Sequence, residues 1–166
     1  DEGAKVALCA TDQQRLNQIA EELNAEGEAL AVQCDVTDPE DIQRFKKKTL
    51  ERFEHVDILV NNAGALEFAS FLDTTDEIWE KMMEVNLNSA RRVTQAFLPE
   101  MLERGTGKIL FISSNTAKKA FINDMAYAVS KAGLLAMATT LAQEVGTRGV
   151  DVFGLCPGLI AETDLG

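Results

Sequence analysis

The chain alternates short apolar runs with longer stretches of helical periodicity. Lys5–Ala10 is an apolar run bounded by polar residues, and Asp12–Ala25 then carries Leu16, Ile19, Ala20 and Leu23 at helical spacing. Ala29–Cys34 reads as a second strand. Thr37-Asp38-Pro39-Glu40 opens the next helix, with a capping side chain, a proline in the first turn and acids at the positive end of the dipole. That helix runs to about Phe53. Asp57–Val60 reads as a buried strand ending in Asn61-Asn62-Ala63-Gly64, and a long helical region covers Thr75–Glu103, with Pro99 disturbing its last turns. Gly107–Ser113 is a further strand, Asp124–Gly146 a helix, and Val150–Leu155 a strand running into Cys156-Pro157-Gly158.

Strand alternating with helix predicts right-handed crossovers and a mostly parallel, doubly wound α/β sheet. In such sheets ligands bind beyond the carboxyl ends of the strands. Thr11-Asp12, Asp35, Asn61-Asn62, Ser113-Ser114 and Pro157-Gly158 all fall there. The pattern points to a cleft for an extended ligand.

Composition narrows the partners. A chain of 166 residues with 46% apolar content suits a single domain spanning 1–166 with one core. A net charge of −11 argues against nucleic-acid binding, because a phosphate backbone would be repelled. Three scattered cysteines (Cys9, Cys34 and Cys156) make neither a disulfide framework nor a zinc site, and with one histidine, His55, no metal site is expected. The most apolar stretch, Ala132–Ala142, is too short to span a membrane, and Asp1-Glu2-Gly3 is not a signal peptide. A cytoplasmic, reducing compartment is the expectation.

Tyr127 and Lys131 lie four apart on a predicted helix, so their side chains share one face. A tyrosine is a poor acid or base at neutral pH, and a neighbouring ammonium favours its phenolate. General acid–base catalysis works best when such a pKa approaches the working pH. Ser114 ends the preceding strand, where its hydroxyl can meet a substrate oxygen. Asn86, in Val85-Asn86-Leu87, sits inside the long helix, a poor place for asparagine unless its amide has a specific partner. Taken singly, each has a plain structural explanation: a half-buried tyrosine, a solvated lysine, a strand-end hydroxyl, a tolerated amide.

Together with Asp35-Val36-Thr37-Asp38, Asp57-Ile58-Leu59-Val60-Asn61-Asn62-Ala63-Gly64 and Cys156-Pro157-Gly158, these residues resemble the classical short-chain dehydrogenase/reductases, in order and spacing, over nearly the whole chain. The resemblance implies a Rossmann-like, three-layer α/β/α fold and an NAD(P)-dependent oxidoreductase acting on a small carbonyl or secondary alcohol. It implies Tyr127 as proton donor or acceptor, Lys131 at the nicotinamide ribose, Ser114 positioning the substrate oxygen, and Asn86 in a proton relay through a local helix distortion. Asp35 and Val36 would meet the adenine, Asn62, Ala63 and Gly64 would line the cofactor, and Pro157, Gly158 and Ile160 would pass the nicotinamide. At the end of the first strand, Ala10-Thr11 in place of an acid favours NADP over NAD, although Asp12 follows directly. The helices at Thr75–Glu103 and Asp124–Gly146 imply a homodimer or homotetramer, with Ala132, Gly133, Ala136, Ala138 and Ala142 as a small-residue face.

The family's opening strand and glycine-rich turn, which receive the pyrophosphate, have no counterpart in the sequence, and the family pattern continues beyond Gly166. The expectation is therefore an incomplete Rossmann-type fold read from a fragment. A sugar-nucleotide epimerase or dehydratase is the enzymatic rival. A catalytically silent binding or scaffold protein without the phosphate-binding turn is the alternative from a different class.

Overall fold

The computed structural model describes residues 3–119 and 121–158, in two compact units. The first, residues 1–56, holds β1 (Lys5–Ala10), α1 (Gln13–Glu26), β2 (Glu28–Gln33) and α2 (Pro39–Phe53). Asp12 caps α1, its carboxylate accepting from Gln14 N and Arg15 N, and Asp38 caps α2 by accepting from Glu40 N. β1 and β2 pair in parallel, Lys5 opposite Glu28 through Ala10 opposite Gln33. Leu16, Val32, Cys34, Ile42 and Phe45 form the core of this unit.

The second unit, residues 57–166, holds β3 (Ile58–Asn61), α3 (Asp76–Met83), a π-helical turn (Glu84–Asn88), α4 (Ser89–Arg104), β4 (Gly107–Ile112), α5 (Met125–Val145) and β5 (Val150–Leu155). Its three strands are all parallel in the order β3-β4-β5, with Asn61 opposite Phe111 and Ile112 opposite Leu155. Gly107 lies against Met101 of α4, while Gly154, on the same face of the sheet, lies against Leu135 and Ala138 of α5. Both helices therefore cover one face, where Leu59, Ile109, Phe111 and Val150 are buried. Within this unit the opposite face exposes Ile58, Val60, Phe153 and Leu155.

The local helix distortion that the resemblance implied at Asn86 is a π turn over residues 84–88. Two expectations are corrected. Pro99 does not disturb the last turns: α4 continues to Arg104 and stops at Gly105, whose φ of +68° is the left-handed cap that glycine adopts freely. Pro99 sits on the exposed side, where water can satisfy the carbonyl its missing N–H leaves. Finally, Met125–Arg148 is long and apolar enough to cross a membrane by length and composition, more than Ala132–Ala142 implied. The reason is the scarcity of charge along it; here it packs against β5 and α3.

Candidate active site

The residues read as catalytic converge in the second unit. Asn86 lies at the centre of the π turn with no exposed surface. Its Oδ1 accepts from Ala65 N at 2.7 Å, while its Nδ2 donates to Ala65 O at 3.0 Å and Ser130 Oγ at 2.9 Å. An asparagine is costly inside a helix unless its amide is satisfied, and here both ends are. The turn is fastened outside by Arg92, which bonds to Glu84 and holds that carboxyl below its usual range. Asn88 Nδ2 also donates to Glu84 Oε2, at 2.8 Å, and Ser89 Oγ donates to Val85 O at 2.6 Å.

Gly64 is where the pieces meet. A methyl group placed there would lie 3.2 Å from Asn86 Oδ1 and 3.3 Å from Lys131 Nζ. Lys131 is buried on the second turn of α5, and its Nζ donates to Ile112 O at 2.9 Å, at the carboxyl end of β4. Burial lowers its pKa from the ordinary lysine value to about 8; the single carbonyl partner does not offset the lost water. Tyr127, one turn earlier and half-buried, has its ring centroid 5.7 Å from Lys131 Nζ. The spacing of four does place both side chains on one face.

Ser114 follows β4, half-buried, with its Oγ accepting from Thr116 N at 3.3 Å and donating weakly to Asn115 Oδ1 at 3.4 Å. Asn115 N donates to Pro157 O at 2.8 Å, which ties the Ser114 turn to the segment after β5. Gly158 is exposed beside Asn115 Nδ2. Asn62 and Ala63 are exposed after β3, whereas their neighbour Asn61 is buried with its Nδ2 on Thr94 Oγ1 at 3.1 Å. Ile160 lies outside the described residues.

The remaining candidates belong to the first unit. Thr11 is exposed, its carbonyl accepting from Gln33 Nε2 at 3.0 Å. Asp35 Oδ1 accepts from Thr37 N at 2.8 Å and Thr37 Oγ1 at 2.7 Å, while Asp35 N donates to Asp41 Oδ2 at 2.8 Å. Asp35 therefore also builds the turn into α2, and Val36 beside it is half-buried.

Sequence reasoning gave Ser130 no place, and Ser113 one only within the Ser113-Ser114 strand-end pair, with no role of its own. Buried Ser130 accepts from Asn86 and donates from its Oγ to Tyr127 O at 2.7 Å, and buried Ser113 donates from its Oγ to Lys131 O at 2.8 Å. Serine is ordinary in both settings, so no local pattern distinguished them. Of the small-residue face on α5, Gly133 packs on Leu87 and Ala138 is buried, while Ala132 and Ala136 are exposed.

The arrangement offers a buried ammonium, a phenol one turn away and a hydroxyl at the adjacent strand end. Gly64 lets the backbone after β3 pass close to Asn86 Oδ1 and Lys131 Nζ, where any side chain would crowd both. These groups fit the ribose-nicotinamide end of a dinucleotide.

Comparisons with known proteins point to one family. Residues 1–166 match the family described as short chain dehydrogenase. The chain is 37% identical over 163 residues to the 3-oxoacyl-(acyl-carrier-protein) reductase FabG of Escherichia coli, an alignment covering 98% of this chain and 66% of that protein. Among solved structures it resembles a short-chain dehydrogenase from Streptomyces avermitilis, with a TM-score of 0.88 and 33% identity over 99% of this chain and 61% of the other. It also resembles an actinorhodin polyketide ketoreductase crystallised with NADPH, with a TM-score of 0.92 and 34% identity over 95% of this chain and 61% of the other. The chain thus spans about three-fifths to two-thirds of the length of these relatives.

Proposed function

The chain belongs to the short-chain dehydrogenase family, with an incomplete Rossmann-type α/β fold, and on that premise we propose that it serves an NADP-dependent reduction of a carbonyl to a secondary alcohol, or the reverse. The observation that carries this reading is the meeting of Lys131 Nζ and Asn86 Oδ1 at Gly64, one helical turn from Tyr127. Bound NADPH supplies the hydride. Tyr127 gives its proton to the substrate oxygen, and Ser114 donates a hydrogen bond to the same oxygen. Its only acceptor among the described contacts is the long one to Asn115, which a substrate can replace. Lys131 holds the ribose and stabilises the phenolate that Tyr127 leaves. Asn86 fixes the loop at Ala65 against Lys131 and stands at the far end of the proton relay.

Asn62, Ala63 and Gly64, with Pro157 and Gly158, are assigned to the nicotinamide half, and Thr11, Asp35 and Val36 to the adenosine half. NADP is favoured because no acid ends β1 and the carboxylate of Asp12 is committed to capping α1. Because several relatives are named ketoacyl reductases, a 3-oxoacyl thioester is the first substrate to try, alongside a simple ketone. The exposed Ala132 and Ala136 are assigned to pairing of copies, which sedimentation tests.

The test is NADPH oxidation with these substrates, NADH in parallel, and Tyr127→Phe as companion. Turnover is expected with NADPH and should fall roughly 100- to 10,000-fold in Tyr127→Phe, with NADPH affinity kept. Saturable NADPH binding with no turnover of any carbonyl would instead favour a silent binding protein.

A further inference from the structure

Thr116 and Asp124 stand between Ser114 and Tyr127 in sequence, and neither has a place in the chemistry above. Both are buried, at 7% and 5% exposure. Thr116 Oγ1 donates to Asp124 Oδ2. Asp124 occupies the cap position of α5, yet its carboxylate makes no capping bond. It turns instead toward Thr116, while its main-chain oxygen accepts from Ala128 N at 2.8 Å. A carboxylate taken out of water needs partners, and the positive end of α5 lies beside this one.

Thr116 reaches the other way as well. Its N–H donates to Ser114 Oγ at 3.3 Å, which occupies one lone pair of the serine and leaves its O–H, weakly held by Asn115 Oδ1 at 3.4 Å, able to turn to a substrate. A single residue thus holds the Ser114 hydroxyl with its backbone and the start of α5 with its side chain. The turn entering α5 is fixed from a third side, where Ala69 N donates to Asn123 O at 2.8 Å and Asn123 takes a φ of +64°. Tyr127 lies three residues beyond Asp124, on the first turn of α5.

We propose that Thr116 and Asp124 are positioning residues: their bond clamps the Ser114 turn to the start of α5 and sets the Ser114 hydroxyl against the Tyr127 phenol. The inference rests on the roles given to Ser114 and Tyr127 above. It acts through geometry, since neither residue touches the reacting atoms. Thr116→Val keeps the shape and removes the hydroxyl, Thr116→Ser keeps the hydroxyl and loses a methyl, and Asp124→Ala removes the acceptor.

The experiment uses the full chain and reads kcat, KM, NADPH affinity and amide hydrogen exchange. Thr116→Val and Asp124→Ala should lower kcat roughly 10- to 100-fold, the scale of a misplacement near 1 Å, with NADPH affinity unchanged within about twofold. Thr116→Ser should recover most of that loss. Amides of the turn, Thr116 to Lys119, should exchange faster in Thr116→Val than in Thr116→Ser, with β4 equally protected in both. The clamp is overturned if Thr116→Val keeps the parent kcat, if kcat and NADPH affinity fall together, or if the serine variant is as poor as the valine one. Should the parent turn over no carbonyl, the proposed function fails by itself, and exchange then decides the clamp: faster exchange of the turn supports it and unchanged exchange overturns it.

Discussion

Burial governs the behaviour of Lys131. Its ammonium has the Ile112 carbonyl at 2.9 Å, yet loss of water still brings its pKa from 10.5 down to about 8. Because the folded value lies below the unfolded one, the unfolded chain binds more protons between about pH 8 and pH 10.5. Lys131 therefore makes stability rise with pH across that window, and below it opposes folding by a constant amount. That amount is at most roughly 3 kcal/mol at neutral pH, at about 1.4 kcal/mol for each pH unit separating the folded and unfolded values. Lys131→Met should be more stable than the parent near pH 7, with the gap closing as pH climbs through the window. Urea unfolding of both proteins at several pH values measures this. A gap that stays constant would contradict burial as the cause of the lowered pKa. Under the proposed function, the destabilising group is kept for its charge beside the Tyr127 phenol.

At the scale of elements, the π turn organises the site. By lodging Asn86 among Ala65, Met82 and Ser130, it joins the loop after β3 to the start of α5 through one side chain. Asn86→Ala leaves the Ala65 N–H and C=O without their partners, at about 2–6 kcal/mol for two orphaned groups. Denaturant midpoints should show that loss, and the Ala65 amide should exchange faster. Asn86→Asp can still accept from Ala65 N but sets an oxygen against Ala65 O, so it should recover only part. The strands and most helix limits were legible because apolar runs, capping aspartates and Pro39 act locally. Asp12 and Asp38 cap helices where the pattern put their starts. The π turn was not legible from periodicity, since it spans only residues 84–88; the misplaced Asn86 and the family resemblance, which implied a local helix distortion there, were its signals. Tyr127 and Lys131 were legible because helical spacing fixes their neighbourhood. Ser130, Thr116 and Asp124 were not, because their importance lies in partners 8 or more residues distant, which no local pattern records.

At the scale of the molecule, charge sets up a contest. The chain carries 27 acids against 16 Lys and Arg, so the folded state gathers a net charge of −11 onto a small surface. Self-repulsion of this kind disfavours compaction and weakens as salt screens it. Opposing it are ion pairs that salt would loosen, including Lys5 and Arg52 on Glu28, Lys81 on Glu67 at 2.9 Å, and Arg104 on Asp57 at 3.0 Å. These are mostly exposed and so contribute at most about 1 kcal/mol each, many of them nothing measurable. The excess charge acts over the whole surface with no geometry to satisfy, so repulsion should win. Raising sodium chloride from about 10 mM to about 200 mM shortens the screening length from roughly 30 Å to under 10 Å and should move the urea midpoint upward. A midpoint that falls would mean that the local pairs outweigh the global charge. Lys5→Ala and Lys81→Ala, each removing one such cation, should then show which pair is responsible.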